Sequence, residues 1–332
     1  MKHLSFLTLG LVSIFSTAHA QDSLTIGYFN EWPLPAHYGQ TSGAYDEVLG
    51  AKTEWATYDS STAMFAALET GDIQIALSQG LVPFLVVATA GLDFKVVDIA
   101  VSYPANENCF VHPDLRFSPN NAAALIGATV ALPVGTITHF NLNRTLTDFG
   151  IDPASLEMTN MAPAQAAAAL TQGKVDIACG WGPARSTLQD FGTVLLDNDQ
   201  KAEIGIKNYD TIVIRSSFGA DNPDIVAKFL KVTGELNAAY TANAARMIPS
   251  IAAPLNMYEG TVAASMQGFT FPAVTAKLGE NWLGGGVQIH LKQLADFFVQ
   301  QGTMDKSLDN YTDAVDDTYL RTAADLPLIE AE

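Results

Sequence analysis

Hydroxyl residues stand just before two predicted helices, over residues 63–69 and 139–149, where they could help to hold an anion. A hydroxyl at a helix start ordinarily accepts a hydrogen bond from a free backbone N–H group. The same N–H groups and the helix dipole also make a helix start an anion-binding site. Both interpretations stay open for each segment. The residues are Ser60, Ser61 and Thr62 in the first segment and Gly135, Thr136, Ile137 and Thr138 in the second.

Aromatic and acidic residues on predicted loops could bind the other end of a solute. An aromatic face can hold an aliphatic chain or an ammonium group, and a carboxylate can pair with a ligand amine. Each residue could instead be an ordinary core aromatic or a solvated charge. The candidates are the aromatic residues Trp32, Tyr103, Trp181 and Tyr209 and the acidic residues Glu31, Glu107 and Asp210. Together with the helix starts, they suggest a small zwitterionic ligand.

The sequence lacks the common motifs of catalysis and cofactor binding. It contains no G-x-S-x-G string, no P-loop and no G-x-G-x-x-G string. Its six histidines and two cysteines show no metal-ligand spacing. We therefore expect a binding protein with no metal and no cofactor, and keep a periplasmic hydrolase as the alternative. In an exported protein, Cys109 and Cys179 could form a disulfide or remain two buried thiols.

The elements that would position these residues occur twice in the chain. Residues 24–28 match residues 128–132 at an offset of 104, and residues 67–80 match residues 169–182 at an offset of 102. Each copy reads as a strand, a loop, an alanine-rich helix ended by glycine, and a second strand. A single such match could be an ordinary helix that ends at glycine before a strand, but the pair of matches favours two α/β lobes.

Loops at one edge of such sheets are the expected ligand site. Strands joined by helical crossovers run parallel, and ligands bind beyond the carboxyl ends of parallel strands. If the two lobes face each other, four loops line one cleft: residues 29–38, 78–84, 133–140 and 180–185. The segments 225–240 and 287–300 have apolar residues at helical spacing.

The first twenty residues have the form of a secretory signal peptide. A basic start at Lys2 precedes an apolar run over residues 4–15, and Ala18-His19-Ala20 places small residues at the cleavage position. The run is shorter than the roughly 20 apolar residues of a transmembrane helix. We therefore expect an exported, periplasmic protein that starts near Gln21.

The chain is strongly acidic, with 35 acidic residues against 17 lysines and arginines among 332 residues. Its net charge of −18 repels phosphate backbones, so nucleic acid is not expected as a partner. The length is sufficient for two domains.

Two strings in the chain are distinctive. One is Gly27-Tyr28-Phe29-Asn30-Glu31-Trp32-Pro33, and the other is Ser78-Gln79-Gly80-Leu81-Val82-Pro83-Phe84. They resemble the taurine-binding proteins of ABC importers, which belong with the nitrate- and sulfonate-binding proteins. Residues 58–64, 101–109, 133–136 and 178–182 extend the resemblance over essentially the whole mature chain.

The resemblance implies an α/β fold of the type II periplasmic binding class, with a ligand cleft between two lobes joined by two crossing segments. By that analogy residues 1–20 are the signal peptide, residues 21–102 and 214–332 form lobe one, and residues 103–213 form lobe two. It implies a monomer that captures taurine or a similar small aminosulfonate and delivers it to a membrane permease. An alkanesulfonate, nitrate or a betaine-like solute is the alternative ligand.

The resemblance and the aromatic and acidic candidates named above together give the expected ligand-binding positions. Asp210 ranks first as the partner of a ligand amine because it lies at the second crossing, and Glu107 ranks next. The expected ligand-binding set is Asn30, Glu31, Trp32, Ser60, Ser61, Thr62, Ser78, Gln79, Gly80, Tyr103, Glu107, Gly135, Thr136, Thr138, Trp181 and Asp210.

Overall fold

The structure is a computed structural model, and it describes residues 23–328 of the chain. The expected signal peptide, residues 1–20, lies outside the described residues. Within residues 23–328, no helix is both long enough and apolar enough to cross a membrane.

Strands in the described part of the chain form two five-stranded sheets. They are β1 (Ser23–Phe29), β2 (Lys52–Tyr58), β3 (Ile75–Gly80), β4 (Phe94–Ser102), β5 (Glu107–Val111), β6 (Thr129–Leu132), β7 (Glu157–Asn160), β8 (Ile177–Trp181), β9 (Thr193–Val194) and β10 (Tyr209–Arg215). The first sheet has the order β2-β1-β3-β10-β4, and the second has the order β7-β6-β8-β5-β9. In both sheets three parallel strands are followed by an antiparallel one.

The register of the sheets reproduces the internal repeat. Ile26 pairs with Ile75 in the first sheet, and Val130 pairs with Ile177 in the second. These pairs are offset by the same 104 and 102 positions that relate the two sequence segments. The predicted two-lobed α/β fold is therefore confirmed.

Helices cover the sheets, and the last seven of them follow β10. The helices are α1 (Ala36–Ser42), α2 (Ala44–Leu49), α3 (Ser61–Thr70), α4 (Leu81–Thr89), α5 (Ile137–Asp148), α6 (Pro163–Thr171), α7 (Gly182–Phe191), α8 (Asn198–Glu203), α9 (Ser216–Asp221), α10 (Pro223–Ala242), α11 (Ala244–Leu255), α12 (Glu259–Met266), α13 (Val274–Lys277), α14 (Gly286–Gln300) and α15 (Thr318–Asp325). Helices α10 and α14 contain the segments predicted to be helical from their apolar spacing.

The largest apolar core lies around the first sheet and the C-terminal helices. Two smaller cores belong to the second sheet. Helix α5 contributes to both sides, because Phe140 packs in the first core while Leu142 and Leu146 pack in a core of the second sheet.

The segments that connect the two sheets lie side by side. The Tyr103 N–H group donates to the Asn208 carbonyl oxygen over 2.8 Å. Strand β10 begins at Tyr209 and lies wholly in the first sheet, hydrogen-bonded to β3 and β4. The lobe boundaries given for residues 102–103 and 213–214 stay a prediction.

A disulfide joins the two central antiparallel strands of the second sheet. Cys109 in β5 lies directly opposite Cys179 in β8, and the two residues are bonded and buried. The Cys109 N–H group donates to Asn108 Oδ1 and its carbonyl accepts from Leu195, so the cysteines form a non-hydrogen-bonded pair. Side chains approach closest in such pairs. The adjacent pair on the same face of the sheet is Glu107 with Trp181.

A buried ion pair connects helix α13 to the first sheet. The Lys277 ammonium group lies 2.9 and 2.7 Å from the two carboxylate oxygens of Asp98 in β4. Both side chains are almost completely inaccessible, at 1% and 0% exposure. The ammonium group also donates to the Ile99 carbonyl oxygen.

Candidate functional site

Two helix starts, one from each side of the molecule, meet at a pocket of about 210 Å³, here called the inner pocket. The start of α4 contributes residues 80–83, and the start of α5 contributes residues 135–137. The connecting segments supply Tyr103 and residues 207–209. The inner pocket therefore lies between the lobes, at the carboxyl end of β3 and near that of β6.

Neither of these helix starts is capped by a side chain. Gly80, at the start of α4, has no side chain that could cap the helix. At the start of α5, the Thr136 hydroxyl donates to the Pro133 carbonyl oxygen over 2.7 Å instead of capping the helix. The first-turn N–H groups of both helices can therefore bind an anion, aided by both helix dipoles.

Two residues of the second connecting segment, Lys207 and Asn208, also line the inner pocket. Asn208 is only 2% exposed, and its Nδ2 group is buried without a hydrogen-bond partner. The Lys207 ammonium group donates to the Asn281 carbonyl oxygen and lies 4.8 Å from the Trp282 ring centre. Burial lowers the pKa of Lys207. An anionic group in the inner pocket would supply a buried acceptor near these donors.

A larger cleft of about 780 Å³, here called the outer cleft, opens from the inner pocket. The two share Tyr103, Thr136 and Ile137. Trp32 packs edge-on against Tyr103, with ring centres 5.4 Å apart. Trp181 also lines the cleft from the second sheet and is 41% exposed. Aromatic surface is therefore available to an aliphatic chain or a cation.

Glu107 presents a carboxylate to the outer cleft. Its side chain is 4% exposed and accepts hydrogen bonds from Asn141 Nδ2, over 2.7 Å, and from the Thr138 hydroxyl. The buried Lys201 ammonium group donates to the Glu107 carbonyl oxygen over 2.6 Å. These contacts hold the carboxylate in place before any ligand arrives.

Asp210 lies behind the cleft wall. Its two carboxylate oxygens accept hydrogen bonds of 2.8 Å from the Ser78 and Tyr103 hydroxyls. It is 7% exposed, and burial raises its pKa to about 6 despite both bonds. Ser78 has a φ of 63°, in the left-handed region that non-glycine residues rarely adopt. Asp210 thus contacts the cleft lining through Tyr103.

A family model described as "NMT1/THI5 like" matches residues 52–243, which include the whole second sheet, every strand of the first sheet except β1, and most of the cleft lining. The chain belongs to the NMT1/THI5-like family. The match spans more than half of the chain and includes the starts of α4, α5 and α7.

Two relatives of this NMT1/THI5-like chain carry names that concern sulfur compounds. The taurine-binding periplasmic protein of Escherichia coli is 28% identical over 293 residues, covering 86% of this chain and 89% of that protein. A putative aliphatic sulfonates-binding protein of Escherichia coli is 30% identical over 216 residues, covering 62% of this chain and 66% of that protein.

Solved structures with the same fold include a binding protein and an enzyme. The periplasmic aliphatic sulphonate binding protein SsuA from Escherichia coli superposes with a TM-score of 0.68 at 22% identity, covering 87% of this chain and 96% of that one. The desulfurization enzyme DSZB superposes with a TM-score of 0.61 at 12% identity, covering 92% and 99%. The fold alone therefore does not separate binding from catalysis.

The structure brings half of the expected ligand-binding residues to the two connected cavities. Three more lie directly behind the lining and hydrogen-bond to it or to each other: Ser78, Thr138 and Asp210. The residues at the cavities are Glu31, Trp32, Gly80, Tyr103, Glu107, Gly135, Thr136 and Trp181. Whether they contact a ligand stays a prediction.

The other expected residues do not line either cavity. Ser60 accepts a hydrogen bond from the Ala63 N–H group, so it caps α3 in the ordinary way. Gln79 is fully buried and donates to the Met64 sulfur. The remaining residues are Asn30, Ser61 and Thr62, which lie in the turn after β1 and at the start of α3.

The sequence analysis did not single out several polar residues of the lining, among them Arg185, Lys207 and Asn208. One signal for Arg185 was available. A cation in the first turns of a helix opposes the helix dipole, and this chain has few cations. No comparable sequence signal marks Asn208, because the lack of a hydrogen-bond partner for its Nδ2 group depends on how the two connecting segments pack.

No group of three or more His, Cys, Asp or Glu side chains within residues 23–328 is arranged to hold a metal ion. The two cavities and the residues directly behind them present N–H and hydroxyl groups, three acidic residues and two cations. They can bind a solute with an anionic end and a cationic end.

Asp210 should make the stability of the protein depend on pH. Its folded pKa of about 6 exceeds the ordinary value of 3.8, so the folded state binds a proton that the unfolded chain releases between these values. Stability from this residue therefore increases as the pH falls through this window. Relative to Asp210→Asn, we expect the free energy of unfolding of the wild type to rise by about 2 kcal/mol from pH 8 to pH 4.

Urea unfolding of both proteins at each pH measures this difference. Comparison with the variant cancels the contributions of His37 and His290, whose pKa values burial lowers to about 4. A difference between the two proteins that stays constant over this range would contradict the prediction.

Proposed function

We propose that this chain is the periplasmic substrate-binding component of an ABC importer and captures taurine or a similar small aminosulfonate. The observation that carries the proposal is the inner pocket, where two uncapped helix starts converge beside Asn208. A sulfonate has three oxygens that can accept hydrogen bonds from the N–H groups of these helix starts. The names of the relatives from Escherichia coli support the same class of ligand.

In the proposed complex the sulfonate lies in the inner pocket and the ammonium group points into the outer cleft. The short carbon chain then passes Tyr103, which lines both cavities. An ammonium group enclosed without a partner would be strongly unfavourable. A carboxylate must therefore accept it, and three acidic side chains lie at or just behind the cleft.

The position of Glu107 favours it as the ammonium partner. Its carboxylate lines the outer cleft and is held by two hydrogen bonds. Asp210, which ranked first from the sequence, lines neither cavity and contacts the cleft lining through Tyr103. Glu31 lines the cleft but is exposed, so water screens its charge.

The Glu107→Gln variant should bind taurine more weakly by about 2 kcal/mol, since a hydrogen bond to a charged group contributes about 1.5–3 kcal/mol. The binding of ethanesulfonate, which has no amine, should be weakened far less by the same substitution. Isothermal titration with both ligands measures the two losses, and protein stripped of co-purified solute is required.

Asp210→Asn is the matched comparison, because it removes one buried carboxylate that does not line the cleft. If Asp210→Asn weakens the binding of taurine but not of ethanesulfonate, and Glu107→Gln does not, then Asp210 is the partner of the ammonium group. Equal losses of taurine and ethanesulfonate in both variants would argue against an ammonium contact at either residue. Binding of no sulfonate by the wild type would refute the proposed function.

Incubation of the protein with taurine separates binding from catalysis. A binding protein returns the solute unchanged, whereas an enzyme of the same fold would consume it. The proposal includes export to the periplasm with removal of the signal peptide near Ala20, action as a monomer, and delivery to a membrane permease. Mass spectrometry of the mature protein from the periplasmic fraction tests the first of these.

A further inference from the structure

Arg185 is a cation in the outer cleft without a partner. It lies in the first turns of α7 and lines the cleft together with Trp181 and Glu107. Its Nε group is buried and has no hydrogen-bond partner, and Arg185 forms no ion pair with any residue of the described chain. Burial lowers its pKa, which shows that its surroundings disfavour the charge.

Two unfavourable terms therefore act on this side chain. The dipole of α7 opposes a cation at its start, and partial burial removes water that no protein group replaces. An anion bound at the guanidinium group would relieve both. Arginine suits a carboxylate in particular, because its planar group donates two parallel hydrogen bonds.

The proposed sulfonate contact does not use Arg185. Arg185 lines the outer cleft and is absent from the lining of the inner pocket, whose cation is Lys207. The outer cleft has more than three times the volume of the inner pocket, at about 780 against 210 Å³. The two-carbon tail of taurine leaves most of that space unfilled.

The residues around Arg185 indicate what a second anionic group would be attached to. Glu107 and Glu31 line the same cleft, so an acceptor for an ammonium group lies beside a donor for a carboxylate. This combination matches the two charges of an α-amino acid. The inner pocket, which shares Tyr103, Thr136 and Ile137 with the outer cleft, provides the anion receptor for its side chain.

We propose that Arg185 binds a carboxylate, and that the cleft takes α-amino acids whose side chain ends in a sulfonate. The inference rests on the proposed function and narrows its ligand class. The ligand then makes three charged contacts: sulfonate to the two helix starts, ammonium to Glu107 and carboxylate to Arg185.

Competition between L-cysteate and taurine tests the inference. The wild-type mature protein should bind L-cysteate about 10- to 100-fold more tightly than taurine, the range expected for one additional charged hydrogen-bonded contact. In Arg185→Gln this preference should fall to about 1, because the added contact is lost. Arg185→Lys should keep a smaller preference, since the charge remains without the two-pronged geometry.

Isothermal titration gives each preference as a ratio within one protein, so small changes in fold or active fraction cancel. Arg246→Gln, on the exposed surface of α11, removes the same charge away from the cleft and should keep the wild-type ratio. Wild type that binds taurine as well as or better than L-cysteate overturns the inference but not the proposed function. An unchanged ratio in Arg185→Gln overturns the assignment to Arg185, and binding of neither ligand overturns both proposals.

Discussion

Replacement of Lys277 by methionine should lower the free energy of unfolding by about 3–5 kcal/mol, the typical cost of breaking a buried ion pair by removing one partner. Methionine retains much of the volume, but the Asp98 carboxylate stays behind at 0% exposure with only the Ile99 N–H group as a donor. Burial already raises the pKa of Asp98 in spite of Lys277, whose charge opposes that rise. The variant should therefore also take up a proton on folding at neutral pH.

Urea unfolding of two further variants isolates the cause. Lys292→Met breaks an exposed i,i+4 pair with Asp296, so it should cost no more than about 0.5 kcal/mol. Lys277→Met combined with Asp98→Asn leaves no buried charge and should be more stable than Lys277→Met alone. A double variant as unstable as the single one would show that the loss comes from packing and not from the unpaired carboxylate.

Loss of the Cys109–Cys179 disulfide should lower the free energy of unfolding by about 4 kcal/mol. The bond closes a loop across 70 sequence positions and so reduces the conformational entropy of the unfolded chain. The variant is Cys109→Ala with Cys179→Ala, and its unfolding midpoint in urea measures the loss. Wild type treated with a strong reductant under denaturing conditions should refold to a state of similar stability to the variant.

Thiol titration provides the direct check. Unreduced wild type, once denatured, should expose no reactive thiol, because the sequence has only these two cysteines. Two reactive thiols would contradict the bond. A stable double variant with no loss would mean that the unfolded chain is already compact over this loop.

The fold was predictable because its signals are local and repeated. Gly71 and Gly173 both adopt positive φ at the end of equivalent helices, and they stand 102 positions apart in the sequence. Glycine is favoured there for steric reasons that neighbouring residues do not alter. The long C-terminal helices were predictable from apolar spacing in the same way.

The site was predictable only in part, because sequence does not separate capping from ligand binding. Residues Ser60 and Thr136 stand in similar local sequences, but Ser60 caps its helix while Thr136 bonds to Pro133. The second helix start of the proposed anion site is that of α4, which begins after Gly80 and carries no hydroxyl signal. Pairing of the cysteines stayed open for a related reason, as it depends on the register of β5 and β8.

Packing of Phe140 in the first core has a kinetic consequence. It anchors the start of α5 to the side of the molecule that also carries α4, so both halves of the inner pocket are held together. The proposed receptor for the anionic end of the solute is therefore held together by core packing outside the outer cleft. We expect related sulfonates to associate at similar rates and to differ mainly in residence time, since contacts in the outer cleft act after the first encounter.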